Sequence, residues 1–288
     1  MAETWLQRIR YLRFNSAAIR EILKLIYHDN SIYKIPFGPL RGFKLIYKPY
    51  INFHMMLGLW ELENANLLKK IMGSDFFKGS IVAADVGANV GMLSLWLSKY
   101  LSEESSIYAF EPTKYVCEIL KKNMNVNGVK NVQVIECACA DSEGEIEFFE
   151  GSHHHTSSLI GSWAEAGVSG AARKVVVKAV TLDAFFKDIE APDFIKMDIE
   201  GGGVYALKGA VKCFEKKRPL LFIESHTPDE DQSVSDLART FDYELYRLET
   251  KDWIANLSAV HPVLNGVWGT MLACPVEKKE VVDRIINR

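Results

Sequence analysis

A mostly parallel α/β sheet with helices on both faces, preceded by a helical and strand-bearing cap, is the architecture this sequence predicts. Two observations carry the sheet. From Ile81 onward, short apolar runs of strand length alternate with segments of helical period. Strand, helix, strand in succession implies right-handed crossovers, hence parallel strands covered on both sides. The cap follows from a third: residues 1–79 lack this alternation and divide from the main domain at 80–288.

Within the cap, Trp5 to Tyr27 reads as an amphipathic helix, with Leu6, Ile9, Leu12, Ile19, Leu23 and Ile26 near helical period and a basic opposite face. The plain reading is a helix packed on the body; a membrane-surface or dimer contact is the alternative. A Pro/Gly-punctuated stretch, Ile35 to Gly42, leads into a strand at Phe43 to Tyr47. A helix from Leu59 to Met72 ends at Gly73 and Ser74.

In the main domain the first strand is Ile81 to Val86, stopped by Gly87, with a helix at Met92 to Tyr100. Ser106 to Phe110 is the second strand, followed by a helix from Lys114 to Asn127 closed by Gly128. Val132 to Ala138 is the third. Phe194 to Met197 is the fourth, before a helix from Val204 to Lys216, and Pro219 to Ile223 is the fifth.

The chain has 288 residues, 48% hydrophobic and 25% charged, with a net charge of -3. That balance gives no general reason to expect a polyanionic partner, so nucleic acid is not expected. Five cysteines, none in a C-x-x-C pair, read as free thiols in a reducing compartment. Cys137 and Cys139 alternate on the third strand and read as small core residues. Arg8, Arg10, Arg13 and Arg20 interrupt the N-terminal apolar residues, so no signal peptide is read there. Met55 to Trp60 is too short to span a bilayer. A cytoplasmic protein with no stable membrane insertion is expected, with room for a homodimer.

In an open parallel sheet, ligands bind beyond the carboxyl ends of the strands, where the strand order reverses. The first such end is Asp85-Val86-Gly87-Ala88-Asn89-Val90-Gly91. Gly87 and Gly91 allow close backbone approach to a ligand. A phosphate loop of an NTPase needs Gly-Lys-Ser/Thr, whereas Gly91 is followed by Met92 and Leu93. A dinucleotide fingerprint needs G-x-G-x-x-G, and here the third glycine is missing while Asp85 stands just ahead. A carboxylate there would repel pyrophosphate and attract S-adenosylmethionine, which carries an ammonium and a sulfonium. Glu111 closes the second strand, where an acid accepts hydrogen bonds from both ribose hydroxyls.

Taken in order, Asp85 to Gly91, Phe110-Glu111-Pro112, Thr181-Leu182-Asp183, Ile195 to Gly201 and Phe222 to His226 resemble the motifs of the FkbM family of methyltransferases, with Gly58-Leu59-Trp60-Glu61 as a lead-in. The resemblance runs from Phe37 to Pro275. It implies a Rossmann-like class I methyltransferase fold and methylation of a hydroxyl on a sugar or polyketide-type natural product. It places the donor at Asp85, Gly87, Asn89, Gly91 and Glu111, its adenine around Ala138 to Asp141, and Glu61 facing it. One position departs: where the family usually has a glutamate, this chain has Gly203, so Gly201-Gly202-Gly203 reads as looser and short of one acid. That departure keeps open a donor-binding protein of weak activity. An NAD-dependent sugar oxidoreductase is the other alternative.

An alcohol is a poor nucleophile at neutral pH, so a general base or a Lewis-acid metal is expected. Asp198 and Glu200 follow the fourth strand, Glu224 and His226 the fifth. His226 or Asp198 is the expected base, with Glu224 as its orienting partner. Asp198 and Glu224 could equally hold a magnesium-like ion. Glu200 is either an acceptor-side acid or a helix N-terminal charge. His153-His154-His155 lies in a Gly/Ser-rich loop, Gly151 to Ser158, where His154 and His155 are candidates to meet a small-molecule or glycan acceptor; a solvated loop and, less favoured, a metal site are the alternatives. Trp163 and Trp268 read first as core aromatics, with stacking on a sugar face as the alternative.

Overall fold

A computed structural model describes residues 25–48, 56, 62–74, 77–150, 173–263 and 268–287. Most of the Trp5–Tyr27 helix, Gly58 to Glu61, the Gly151 to Ser158 histidine loop and Trp163 lie outside the described residues.

The cap contributes an antiparallel pair, β1 (Ile32–Lys34) and β2 (Lys44–Ile46), and helix α1 (Leu62–Met72). Then come β3 (Val82–Val86), α2 (Met92–Tyr100), β4 (Ser106–Phe110), α3 (Lys114–Val126) and β5 (Val132–Ile135). Three strands follow, β6 (Ala138–Cys139), β7 (Gly144–Glu150) and β8 (Arg173–Val180), then α4 (Leu182–Phe185) and β9 (Phe194–Met197). The remainder is α5 (Gly203–Lys208), α6 (Val211–Lys217), β10 (Leu220–Glu224), α7 (Pro228–Phe241), β11 (Tyr243–Arg247), β12 (Asp252–Trp253), β13 (Thr270–Pro275) and α8 (Lys279–Ile286).

The main sheet has the order β12-β11-β13-β10-β9-β3-β4-β5. Strands β5, β4, β3, β9 and β10 run parallel, and β13 enters antiparallel between β10 and β11. From β3 the chain moves outward to β4 and β5, then returns to the other side of β3 at β9. The order therefore reverses between β3 and β9, which places the ligand crevice at their carboxyl ends.

Alternation along each strand feeds two cores. Ala83, Ile107, Ala109 and Phe222 face α2 and α3, packing with Leu93, Trp96, Leu97, Ile119 and Leu120. Val82, Ala84, Val86, Ile195, Met197 and Ile223 face the other way, onto Leu207, Phe214, Val234 and Leu237 of α5 to α7. The expected sheet with helices on both faces is thus present.

Three local expectations are corrected. The third strand ends at Ile135 rather than Ala138, because a turn closes there with Cys137 N–H donating to the Ile135 carbonyl (2.9 Å). Ala138 and Cys139 instead join a second sheet of order β6-β8-β7. Cys139 is buried there while Cys137 is half-buried in the turn, so the two do not share a strand face. The helix read as Val204 to Lys216 is two helices. Gly209 interrupts it where an added β-carbon would stand 2.1 Å from the Ala140 carbonyl oxygen, and its own carbonyl accepts from Asp183 N–H (2.8 Å).

The β2 edge is fastened to α3 by two asparagines. Asn123 Oδ1 accepts from Ile46 N–H and Asn127 Oδ1 from Lys44 N–H, both at 2.8 Å. Asn123 Nδ2 donates to the Val90 carbonyl (2.7 Å), so one buried side chain ties the cap hairpin to the glycine bend.

Candidate active site

The bend after β3 is shaped by its own hydrogen bonds. Gly87 and Ala88 N–H both donate to the Phe110 carbonyl (3.0 and 2.9 Å), and Gly91 N–H donates to the Ala88 carbonyl (2.9 Å). Asn89 N–H donates to Glu111 Oε2 (3.1 Å), and Val90 N–H to Asn89 Oδ1 (2.7 Å). Every amide from Gly87 to Gly91 is committed inside the protein, leaving none of them to cradle a phosphate.

Gly87, Asn89 and Gly91 all have positive φ, at 78°, 51° and 87°. The space beside the two glycines is filled by protein. A β-carbon at Gly87 would lie 2.1 Å from the Asp198 carbonyl oxygen and 2.7 Å from Ile199 Cγ2. One at Gly91 would lie 2.7 Å from Met124 Cε. Close approach of the segment after β9 and of α3 therefore demands glycine at both positions.

Asp85 is fully buried, and its Oδ2 accepts from Ser94 Oγ at 2.6 Å. Its Oδ1 faces Lys196 Nζ at 3.9 Å. Burial pushes its pKa up, against Lys196 and the Ser94 hydroxyl, which favour the charged form. With no exposed surface in the chain alone, Asp85 steadies the first turn of α2 and anchors Lys196. Lys196 is itself buried and reaches on to Asp198 Oδ2 at 3.3 Å.

Glu111 closes β4 as expected. Its Oε1 accepts from Thr113 N–H (2.9 Å) and its Oε2 from Asn89 N–H, so the carboxylate is fixed at the mouth of the crevice with one lone pair spare on each oxygen. It is 8% exposed, and burial pushes its pKa up to about 7, against those two N–H donors. Ala138 is buried in β6, whereas Asp141 is exposed and accepts from Ser142 Oγ (3.2 Å).

At the carboxyl ends of β9 and β10 the acids and histidine expected there come together. Glu200 (φ 47°) and Gly201 (φ 88°) reverse the chain, and Glu200 turns back toward the sheet edge. His226 Nε2 lies 3.6 Å from Asp198 Oδ1, 3.7 Å from Glu200 Oε2 and 3.8 Å from Glu224 Oε1. On the ring's other side stands Glu230, missed in the sequence reading, with Oε2 3.7 Å from Nδ1. Glu224 therefore shares the Nε2 side and does not back the ring. Burial disfavours the imidazolium, but Glu230, then Asp198, Glu200 and Glu224, outweigh it and raise the His226 pKa to about 9.

Glu230 also resolves the departure at Gly203. Its Oε1 accepts from Gly203 N–H (2.8 Å), and a β-carbon at Gly203 would lie 2.7 Å from that oxygen. The triple glycine is pinned, and a carboxylate from α7 occupies the space a side chain at 203 would need. Thr227-Pro228-Asp229-Glu230 was the available signal: a capping box, with Thr227 Oγ1 accepting from Glu230 N–H (3.1 Å).

Asp198, Glu224 and His226 bring ligand atoms within 4.8 Å of one another, a spacing a metal ion could use. The donor set does not suit magnesium, which prefers oxygen ligands throughout. Lys196, 3.3 Å from Asp198 Oδ2, already brings a positive charge to that carboxylate. Trp268 is half-buried beside Gly269, and no helix among the described residues is long and apolar enough to cross a membrane.

The sequence profile of the methyltransferase FkbM domain matches residues 85–252. No curated protein matches the chain. Among solved structures, it is similar to an FkbM methyltransferase from Methylobacillus flagellatus KT at 18% identity and a TM-score of 0.45, over 67% of this chain and 43% of that one. It is also similar to a precorrin-6y C5,15-methyltransferase from Geobacter metallireducens GS-15, at 13% identity and a TM-score of 0.42, over 75% of this chain and 88% of that one. Aeropyrum pernix fibrillarin in complex with S-adenosyl-L-methionine matches at 12% identity and a TM-score of 0.41, over 73% of each chain. With more than half of its length in that profile, from the buried acid of β3 through β12, this chain belongs to the FkbM methyltransferase domain family.

Proposed function

We propose that the protein is an S-adenosylmethionine-dependent O-methyltransferase acting on a hydroxyl of a sugar, glycan or related polyhydroxylated natural product. The observation that carries this reading is the junction of two half-sites. The bend that ends in Glu111's reach and the cluster around His226 meet where the Asp198 carbonyl packs on Gly87.

The residues present suit the donor. A pyrophosphate would want loop amides that are already committed, whereas a nucleoside needs chiefly an acceptor for its ribose diol, which Glu111 offers. When bound, the donor supplies a methyl carbon activated by an adjacent sulfonium. The protein's part is alignment and proton removal. Transfer of that methyl group to an acceptor oxygen would leave the hydroxyl proton for the protein to remove. The hydroxyl proton passes to His226 Nε2, with Asp198, Glu200 and Glu224 receiving the resulting imidazolium. His154, His155 and Glu61 lie outside the described residues and keep their proposed acceptor and donor roles on sequence grounds alone.

Thermal shift with S-adenosylmethionine, S-adenosylhomocysteine and NAD tests the donor. Stabilisation by the first two and not the third is expected. Radiolabelled transfer to a panel of sugars and polyols tests the acceptor; stabilisation without transfer to any hydroxyl compound would favour a donor-binding protein instead.

A further inference from the structure

We propose that the cap hairpin is a docking face for an anionic phospholipid surface, with Lys34, Arg41 and Lys44 meeting the headgroups and Phe37 entering the acyl boundary. The proposal goes beyond the methyl-transfer reading and uses no residue of the crevice. Charge is spread unevenly along the chain. Residues 1–60 hold nine Lys and Arg against three Asp and Glu, although the whole chain carries -3. Residues 31–60 contain Lys34, Arg41, Lys44 and Lys48 and no acid. Among the described residues 25–48 Asp29 is the one acid, and it is paired with buried Lys48 at 3.1 Å. The other three cations are exposed.

The fold gathers these cations and several apolar side chains on one hairpin. Lys34 of β1 stands directly opposite Lys44 of β2, and Ile32 shares the outward face of β1 with Lys34. Like charges facing each other across a ladder are destabilising, and an anion laid over both relieves that repulsion. Between the strands, Arg41 N–H donates to the Gly38 carbonyl (3.1 Å) and Gly42 N–H to the Ile35 carbonyl (2.9 Å). Leu40 is buried from this turn, whereas Phe37 is 60% exposed. Lys99 of α2 donates to the Pro39 carbonyl (3.2 Å) and adds an exposed cation beside it. Ile32 is exposed, as are Leu25 and Ile26 just ahead of the hairpin. Among the described residues, four of the five most exposed large apolar side chains thus lie within residues 25–37. Asn123 and Asn127 fasten the β2 edge to α3, so the face is held ready rather than formed on contact.

An anionic bilayer suits this mixture better than nucleic acid or a second copy. Interfacial binding puts apolar side chains at the acyl boundary while neighbouring Lys and Arg keep their charges at the phosphates. Nucleic acid would meet the cations but offers no apolar medium for Ile32, Leu25 and Ile26. A two-fold dimer would set Lys34, Arg41 and Lys44 against the same residues of the other copy. Residues 61–288 are acidic on balance, so an anionic surface repels the main domain and admits the protein hairpin first.

Co-sedimentation of the full chain with vesicles tests the proposal. Binding is expected to vesicles of equal parts phosphatidylserine and phosphatidylcholine, weakening as salt is added, and not to phosphatidylcholine alone. Lys34→Ala, Arg41→Ala and Lys44→Ala together should lower the affinity about a hundredfold, at about fivefold per cation. Phe37→Ser should lower it about tenfold through the lost apolar insertion. The control removes the same charge from the other side of the sheet, where Lys208, Lys212 and Lys216 are exposed on α5 and α6. Replacing those three by alanine should change binding by less than about threefold. Should the hairpin triple variant fail to fold, Arg41→Ala and Phe37→Ser, both at exposed turn positions, decide alone. Equal losses from the two triple variants overturn the proposal, because net charge and not this face would then govern binding. A folded wild type that ignores phosphatidylserine vesicles overturns it too. Dimerisation that Phe37→Ser abolishes, without vesicle binding, would give the face to a second copy instead.

Discussion

The Asp198 carbonyl oxygen stands where Gly87 would carry a β-carbon, 2.1 Å from that position. The bend beside the donor crevice and the strand end bearing the first acid of the cluster are therefore one packed unit. Gly87→Ala should cost about 3 kcal/mol or more, combining positive φ with backbone overlap. Gly128→Ala is the control. It also has positive φ, but nothing lies within 4 Å of its added carbon, so only about 1 kcal/mol is expected. Urea denaturation of both variants checks this; equal losses would mean the bend can move away from Asp198.

How far the sequence alone reaches is clear from particular residues. The strands from Ile81 to Phe110 and Phe194 to Ile223 were legible because they are apolar and end at glycine or acid. The switch point and the meeting of Asp198, Glu200, Glu224 and His226 followed from topology. The β6-β8-β7 sheet was not legible, because Val132 to Ala138 reads as one alternating strand and only the turn at Cys137 divides it. The environment of Asp85 was hidden for another reason. Position in a motif reports which strand end a residue occupies, not whether its carboxylate faces a crevice or, as here, Ser94 and Lys196. Glu230 lay beyond the matched strand ends, and its partner Gly203 is 27 residues away in sequence.

Lys196 stands between two acids, Asp85 at 3.9 Å and Asp198 at 3.3 Å; it and Asp85 are buried, and Asp198 is part-exposed. Replacing it with methionine leaves Asp85 buried without a counter-charge, so a loss of about 3–5 kcal/mol is expected. Adding Asp85→Asn to Lys196→Met should recover part of that loss, because the uncompensated charge goes with it. Chemical denaturation of the single and double variants reads the coupling. Strict additivity of the two substitutions would show that Lys196 does not serve Asp85.

Glu111 ionises near pH 7 because it is buried, and only the carboxylate form can accept both ribose hydroxyls. Affinity for S-adenosylhomocysteine should rise by up to about tenfold per unit as pH climbs toward 7, then level off. The free protein responds in the opposite sense. Since the folded pKa is raised, ionising Glu111 costs stability as pH rises from its ordinary value of 4.5 to about 7, and the cost is complete above that. Calorimetric titration across this range, with Glu111→Gln alongside, checks both directions. A variant whose affinity keeps the wild-type slope would remove Glu111 from the nucleoside contact.

His226 carries the last prediction. At neutral pH the four carboxylates around it keep the ring protonated, with a pKa of about 9. An imidazolium cannot accept the hydroxyl proton, so kcat should rise about tenfold per pH unit from neutrality toward 9. Were Asp198 the base, the rate would be flat over the same interval. Stability supplies a check that needs no acceptor. A histidine whose folded pKa is raised contributes stability fully below its ordinary value of 6.5, and loses it as pH rises through about 9. Wild-type protein should therefore lose stability across that window while His226→Asn does not. Parallel curves for the two proteins would mean that the carboxylates do not hold the ring in its charged form.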